Sequence, residues 1–177
     1  MSRISPSSAK KKACKNISVT NFVSHNVRGL PDTRIEELYH SIKSQNFFAA
    51  CLQETWRTGS HTLEYENNLL LLSGLDPNSV TNNRGSQGVG IALSADAVTA
   101  WRAAGSVVHN DLGARVMAVR LLTKDSSDKD MYIFLVSAYA PIGSSNQLHW
   151  DDFFDCIDIC LSRMLNDSLS DYRMIST

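Results

Sequence analysis

The chain has 177 residues, 43% of them hydrophobic and 20% charged, and a formal net charge of −1. That balance suits one globular domain with its own core and excludes a disordered or fibrous protein. The near-zero charge excludes a global field that draws in polyanions, so any nucleic-acid binding has to come from a local patch.

Residues 1–15 are rich in Ser and Lys, have no apolar stretch of the signal-peptide kind, and read as a disordered, solvated tail. Lys10-Lys11-Lys12 with Lys15 also fits a nuclear address or a phosphate contact. No run reaches the roughly 18 apolar residues of a membrane span. Cys14, Cys51, Cys156 and Cys160 form no Cys-x-x-Cys pair and suit reduced thiols. The expectation is an intracellular protein, cytoplasmic or nuclear and without membrane contact, whose folded domain covers residues 16–177.

From Ile17 to Val27 β-branched and aromatic residues cluster, which predicts a strand ending near Asn26. Pro31 closes the turn, and Thr33-Arg34-Ile35-Glu36 has the capping-box pattern of a helix start. Ile35, Leu38, Tyr39 and Ile42 then recur at the spacing of a buried helical stripe. The apolar run Phe47 to Leu52 follows and leads straight to Glu54, completing a strand-helix-strand rhythm.

Four further strands are predicted at Asn68 to Ser73, Gly88 to Ser94, Arg115 to Leu122 and Met131 to Tyr139. Most are continuously apolar, as strands covered on both faces are. The polar segments Asp76 to Gln87 and Lys124 to Asp130 read as loops, the second a hairpin end. Gly88-Val89-Gly90 is no dinucleotide fingerprint, because Leu93 stands where that pattern needs a small residue and no helical pattern follows.

A second helix begins near Ser144, where Ser144-Ser145-Asn146-Gln147 is another capping-box pattern. Its expected core stripe is Trp150, Phe153, Phe154, Ile157, Cys160, Leu161 and Met164. Beyond Asn166-Asp167-Ser168, Tyr172 to Ile175 reads as the opening of another strand.

Two apolar runs therefore turn polar at their ends, in Ser24-His25-Asn26-Val27-Arg28-Gly29-Leu30 and in Ala50-Cys51-Leu52-Gln53-Glu54-Thr55-Trp56. Ligands of open α/β sheets collect at the carboxyl ends of strands. An amide oxygen from Asn26 and a carboxylate from Glu54 are hard donors, suited to a magnesium-type cation rather than to zinc or copper. Taken singly, Asn26 is an ordinary turn residue, Glu54 an ordinary strand-end charge, and Trp56 and Trp101 are more often buried than stacked on bases.

Together with Gly88-Val89-Gly90-Ile91-Ala92-Leu93, Arg115-Val116 and Ser137-Ala138-Tyr139-Ala140-Pro141, these segments resemble the endonuclease/exonuclease/phosphatase superfamily. The likeness is greatest to endonuclease domains of non-LTR retrotransposons and the craniofacial development protein 2-like sequences. It covers about Ser18 to Thr177. The resemblance implies a four-layered α/β sandwich that hydrolyses phosphoesters with Mg2+ or Mn2+. It makes Glu54 and Asn26 the metal site, Tyr139 the phenol that orients the scissile phosphate, and Arg28 and Arg115 substrate contacts. DNA is the implied partner.

The sequence contains neither Gly-Asp-x-Asn nor Ser-Asp-His, the superfamily motifs that supply the water-activating aspartate and the catalytic histidine. The expected fold is therefore incomplete at the C-terminus, with little turnover, since residues that act as a unit fail together. A sheet face left uncovered would then favour self-association or a partner, as in a non-catalytic interaction module. A phosphomonoesterase or phosphoinositide phosphatase on the same fold is the third reading, because fold alone does not fix the substrate.

Overall fold

A computed structural model describes residues 20–80, 86–143 and 145–174. Strand β1 (Phe22–Asn26) and strand β2 (Ala49–Gln53) pair in parallel, joined by helix α1 (Ile35–Ser44). Their register sets Asn26 opposite Gln53. Asn26 and Glu54 thus leave the sheet together at the carboxyl end of both strands.

Strands β3 (Ser60–Tyr65), β4 (Asn68–Ser73) and β5 (Val89–Leu93) complete a five-stranded sheet in the order β1-β2-β5-β4-β3. Helix α2 (Ala95–Ala103) follows β5. Strands β6 (Val108–His109), β7 (Val116–Lys124) and β8 (Asp130–Ala138) form a second, antiparallel sheet, and helix α3 (Gln147–Met174) comes last.

Side-chain alternation explains how these pieces stack. In β4, Leu70 and Leu72 pack with Tyr39 and Ile42 of α1, while Leu69 and Leu71 point the other way, to Met117, Val119 and Leu121 of β7. The opposite face of β7 presents Val116 and Ala118 to Cys160 and Met164 of α3. The result is four layers: α1, sheet, sheet, α3. Each fully buried leucine or isoleucine in them contributes about 1.5–3 kcal/mol. Gly90 lets β5 lie close to β4, because a Cβ there would meet Leu72 Cδ2 at 2.8 Å.

Several expectations change. The first sheet is not bare, because β7 and β8 pair into their own sheet and cover it instead of extending it. Among the described residues no strand pairs with the outer edge of β8, the last strand of the β6-β7-β8 order. The capping box at Thr33 is not made: Asp32–Arg34 forms a single 3-10 turn after Pro31, so Thr33 lies inside a turn rather than ahead of a helix, and α1 starts at Ile35 without a side-chain cap. A helix does follow the glycine strand. Ser94 caps α2 by accepting from the Ala97 N–H at 3.3 Å.

Helix α3 continues to Met174, so residues 172–174 are helical rather than a strand opening. Asn166-Asp167-Ser168 contains no Gly or Pro to end a helix. Asn146 accepts from the His149 N–H at the start of α3, at 3.0 Å. The expected stripe is only partly core, since Phe154 and Leu161 are 55% and 47% exposed. The tail at 1–15, the strand start at 17–19, residues 81–85 of the polar loop, Ser144 and Ile175 lie outside the described residues.

Candidate active site

Parallel pairing does not stop where β1 and β2 end. Val27 N–H donates to Gln53 O, Gly29 N–H to Glu54 O and Leu30 N–H to Thr55 O, at 2.9, 2.7 and 2.9 Å. The polar ends of both strands are thereby held by the backbone itself. On the other side, Thr55 and Trp56 donate to Gly88 O and Gln87 O at 3.0 and 2.8 Å. Thr55 is buried between these segments.

This double clamp forces unusual backbone. Arg28, Glu54 and Trp56 have φ values of 47°, 54° and 55°, in the left-handed region that costs a non-glycine residue roughly 1–2 kcal/mol. Gly29, at φ 98°, must be glycine for a second reason: a Cβ there would lie 2.5 Å from Trp56 Cε3. Strain of this kind collects where function fixes a geometry.

Within the clamp, Asn26 Nδ2 donates to Glu54 Oε1 at 2.6 Å, and Asn26 Oδ1 accepts from the Arg28 N–H at 3.1 Å. The amide therefore bridges the carboxylate and the turn after β1. Tyr139, leaving β8 on the second sheet, brings its phenol into the electrostatic reach of Glu54. Desolvation first, then the neighbouring Glu54 carboxylate, hold the phenol above its ordinary range, with Arg115 opposing. Asn26, Glu54 and Tyr139, three residues singled out from the sequence, thus meet in one cluster.

Arg115 sits immediately before β7 and engages the Tyr139 segment, donating to Tyr139 O and Ala140 O at 3.1 and 3.2 Å. Arg28 is exposed and borders a cleft of about 440 Å³ with Arg34, Trp56 and Arg57. Two of these arginines shape the turn. Arg34 donates to Val27 O and Gly29 O at 3.2 and 3.1 Å, and Arg57 to Leu30 O and to Asp32 at 2.7 and 2.6 Å. Trp101 is half-buried against the core with its indole N–H on Val107 O at 3.0 Å, which makes it structural.

Sequence reasoning missed what Ser137 does. Its buried hydroxyl donates to Leu52 O at 2.9 Å, bridging the two sheets. Tyr139 lies two residues beyond Ser137 and Glu54 two beyond Leu52, so this bond sets the inter-sheet register that brings phenol to carboxylate. The available signal was a small hydroxyl residue following the apolar run Ile133 to Val136.

The donors here are all hard oxygens: the Glu54 carboxylate and the Asn26 amide oxygen, which keeps a second lone pair beside its bond to Arg28. Among the described residues no three His, Cys, Asp or Glu side chains gather into a metal-binding group. Such a set fits Mg2+, which takes one or two carboxylates and keeps much of its water.

No family model and no curated protein sequence matches the chain. Among solved structures, it is similar to the catalytic domain of Xenopus laevis APE2, with a TM-score of 0.54 and 15% identity over 76% of this chain and 51% of that one. The chain has an endonuclease/exonuclease/phosphatase-type fold. AP endonuclease LMAP from Leishmania major matches at a TM-score of 0.44 and 15% identity, over 69% of this chain and 40% of that one. The chain thus spans about half the length of the solved structures it matches. In this endonuclease/exonuclease/phosphatase-type fold, the Asn26–Glu54–Tyr139 cluster stands where β1, β2 and β8 end.

Proposed function

We propose that this chain carries the metal-anchoring half of a phosphodiesterase site that acts on DNA, of the retrotransposon endonuclease type. The observation that supports it is the Glu54 carboxylate, held by the Asn26 amide from the first sheet and faced by the Tyr139 phenol from the second. Two groups converging on one carboxylate from separate elements need a common task, and strained backbone at Glu54 itself is otherwise a cost without return. Glu54 and Asn26 would hold Mg2+ or Mn2+, which when bound polarises phosphate oxygens and stabilises charge in the transition state. Tyr139 would orient the phosphate with its phenol, and exposed Arg28 would pair with a backbone phosphate oxygen.

The resemblance of the Asn26 and Glu54 segments to retrotransposon endonucleases favours DNA over a phosphomonoester. Nicking by these residues alone should be slow, since the sequence has no Gly-Asp-x-Asn or Ser-Asp-His to activate water. The test is duplex binding with and without Mg2+, followed by relaxation of supercoiled plasmid. The expected result is binding that strengthens with Mg2+, loses that increment in Glu54→Ala, and brings little nicking. DNA binding indifferent to both Mg2+ and Glu54 would overturn the reading, as would preferential hydrolysis of a phosphoinositide.

A further inference from the structure

Arg115 is the residue whose surroundings say most beyond the site itself. It faces Tyr139 one step past the end of the β7–β8 ladder, whose final register pair is Val116 with Ala138. The Tyr139 N–H still donates to Arg115 O at 2.8 Å, so the ladder extends by one bond. After that the chain turns at buried Pro141, which has no N–H, and the carbonyls of Tyr139 and Ala140 leave the strand. The Arg115 side chain folds back to serve both, with Nη1 donating to Tyr139 O and Ala140 O at 3.1 and 3.2 Å. Its guanidinium carbon also lies 5.2 Å from the centroid of the Tyr139 ring, within range of a cation–π contact.

We infer that Arg115 is a positioning residue, which fixes the Tyr139 backbone and ring so that the phenol stays beside Glu54, rather than a direct contact to substrate. A planar guanidinium suits this work: it can satisfy two diverging carbonyls from one nitrogen while lying over the ring, a combination an ammonium does poorly. Arg115 is half-buried beneath the turn it supports, and desolvation pulls its pKa below the ordinary arginine value. By contrast Arg28 is exposed at the cleft. The two arginines assigned one role by resemblance therefore divide it, Arg28 outward and Arg115 inward.

The inference rests on reading Tyr139 and Glu54 as a phosphoester site, and its test does not require turnover. Tyrosine ring resonances are followed by carbon-13 NMR in the 177-residue chain, with Tyr139 identified by its absence in Tyr139→Phe. In Arg115→Gln the Tyr139 ring signals should move toward the free-tyrosine position while the stacked pair Tyr39 and Tyr65 stays unchanged, and Arg115→Lys should restore part of the shift. Unmoved Tyr139 signals in Arg115→Gln, with duplex binding lost, would overturn the inference in favour of direct contact. Should Arg115→Gln fail to fold, the wild-type chain decides: separate, slowly exchanging guanidinium nitrogen-15 signals for Arg115 support it, and one averaged, fast-exchanging signal refutes it. A chain that neither binds nor nicks DNA but passes the ring test would retire the DNA reading and leave the positioning role standing.

Discussion

At the scale of single residues, the turn after β1 sets side-chain function against backbone comfort. Arg28 adopts φ 47° next to Gly29 at φ 98°. Replacing Arg28 by Gly removes the left-handed penalty but adds unfolded-chain entropy, two terms of roughly 1 kcal/mol that nearly cancel. Arg28→Gly should therefore leave stability within about 1 kcal/mol of wild type, by urea unfolding, while weakening DNA binding. Gly29→Ala is the opposite case. Its Cβ meets the Trp56 ring at 2.5 Å in a backbone region that alanine avoids, so it should cost about 2 kcal/mol or more in the same assay. Asn26, Glu54 and Tyr139 could be picked out in the sequence because polarity breaks abruptly at the ends of apolar runs. That the Asn26 NH2 faces Glu54 while its oxygen caps the Arg28 N–H could not, since amide orientation follows from three-dimensional partners.

At the scale of elements, the strands with continuous apolar runs were readable, and those whose burial depends on tertiary neighbours were not. β4 spans Asn68–Ser73, the range its sequence predicts, because leucines facing both α1 and the second sheet leave no polar position. β3, with Ser60, His61, Thr62 and Glu64 exposed at the sheet edge, has no comparable signature. α2 was hidden too: its buried face is built from Ala97, Val98 and Ala100, too small to mark an amphipathic stripe. The element-scale prediction concerns the bolt between sheets. Ser137→Ala leaves Leu52 O without its buried donor and should cost about 1–3 kcal/mol in urea unfolding. It should also loosen the Tyr139–Glu54 contact, so that Mg2+-dependent DNA binding falls although neither residue has changed.

At the scale of the whole molecule, the four layers are present but unequal. Among the described residues the first sheet has five strands and the second three, the latter ending at a β8 edge with no strand partner. Exposed large apolar side chains concentrate on that side of the sequence: Met131 in β8, Ile142 in the following turn, and Leu148, Phe154, Ile159 and Leu161 in α3. An open strand edge with apolar surface nearby promotes association. The isolated 177-residue chain should bind a hydrophobic dye and show concentration-dependent mass by light scattering, and Phe154→Glu with Leu161→Glu should reduce both without unfolding it. A strictly monomeric chain without dye binding would contradict this. The family resemblance, not sequence patterning, implied the sandwich, and the sheet face expected to stay open is covered, because patterning could not tell whether β7 and β8 extend the first sheet or cover it.

These scales converge on one carboxylate. The strained clamp around residues 28 and 54, the inter-sheet bond from Ser137 and the phenol of Tyr139 surround Glu54, the side chain proposed above to anchor a divalent cation. Calorimetric titration of Mn2+ into the wild-type chain and into Glu54→Ala measures this most directly. A single site that weakens by tenfold or more in Glu54→Ala, about 1.4 kcal/mol or more, is the predicted result. Mn2+ binding of equal strength in both proteins, or none in either, would contradict it.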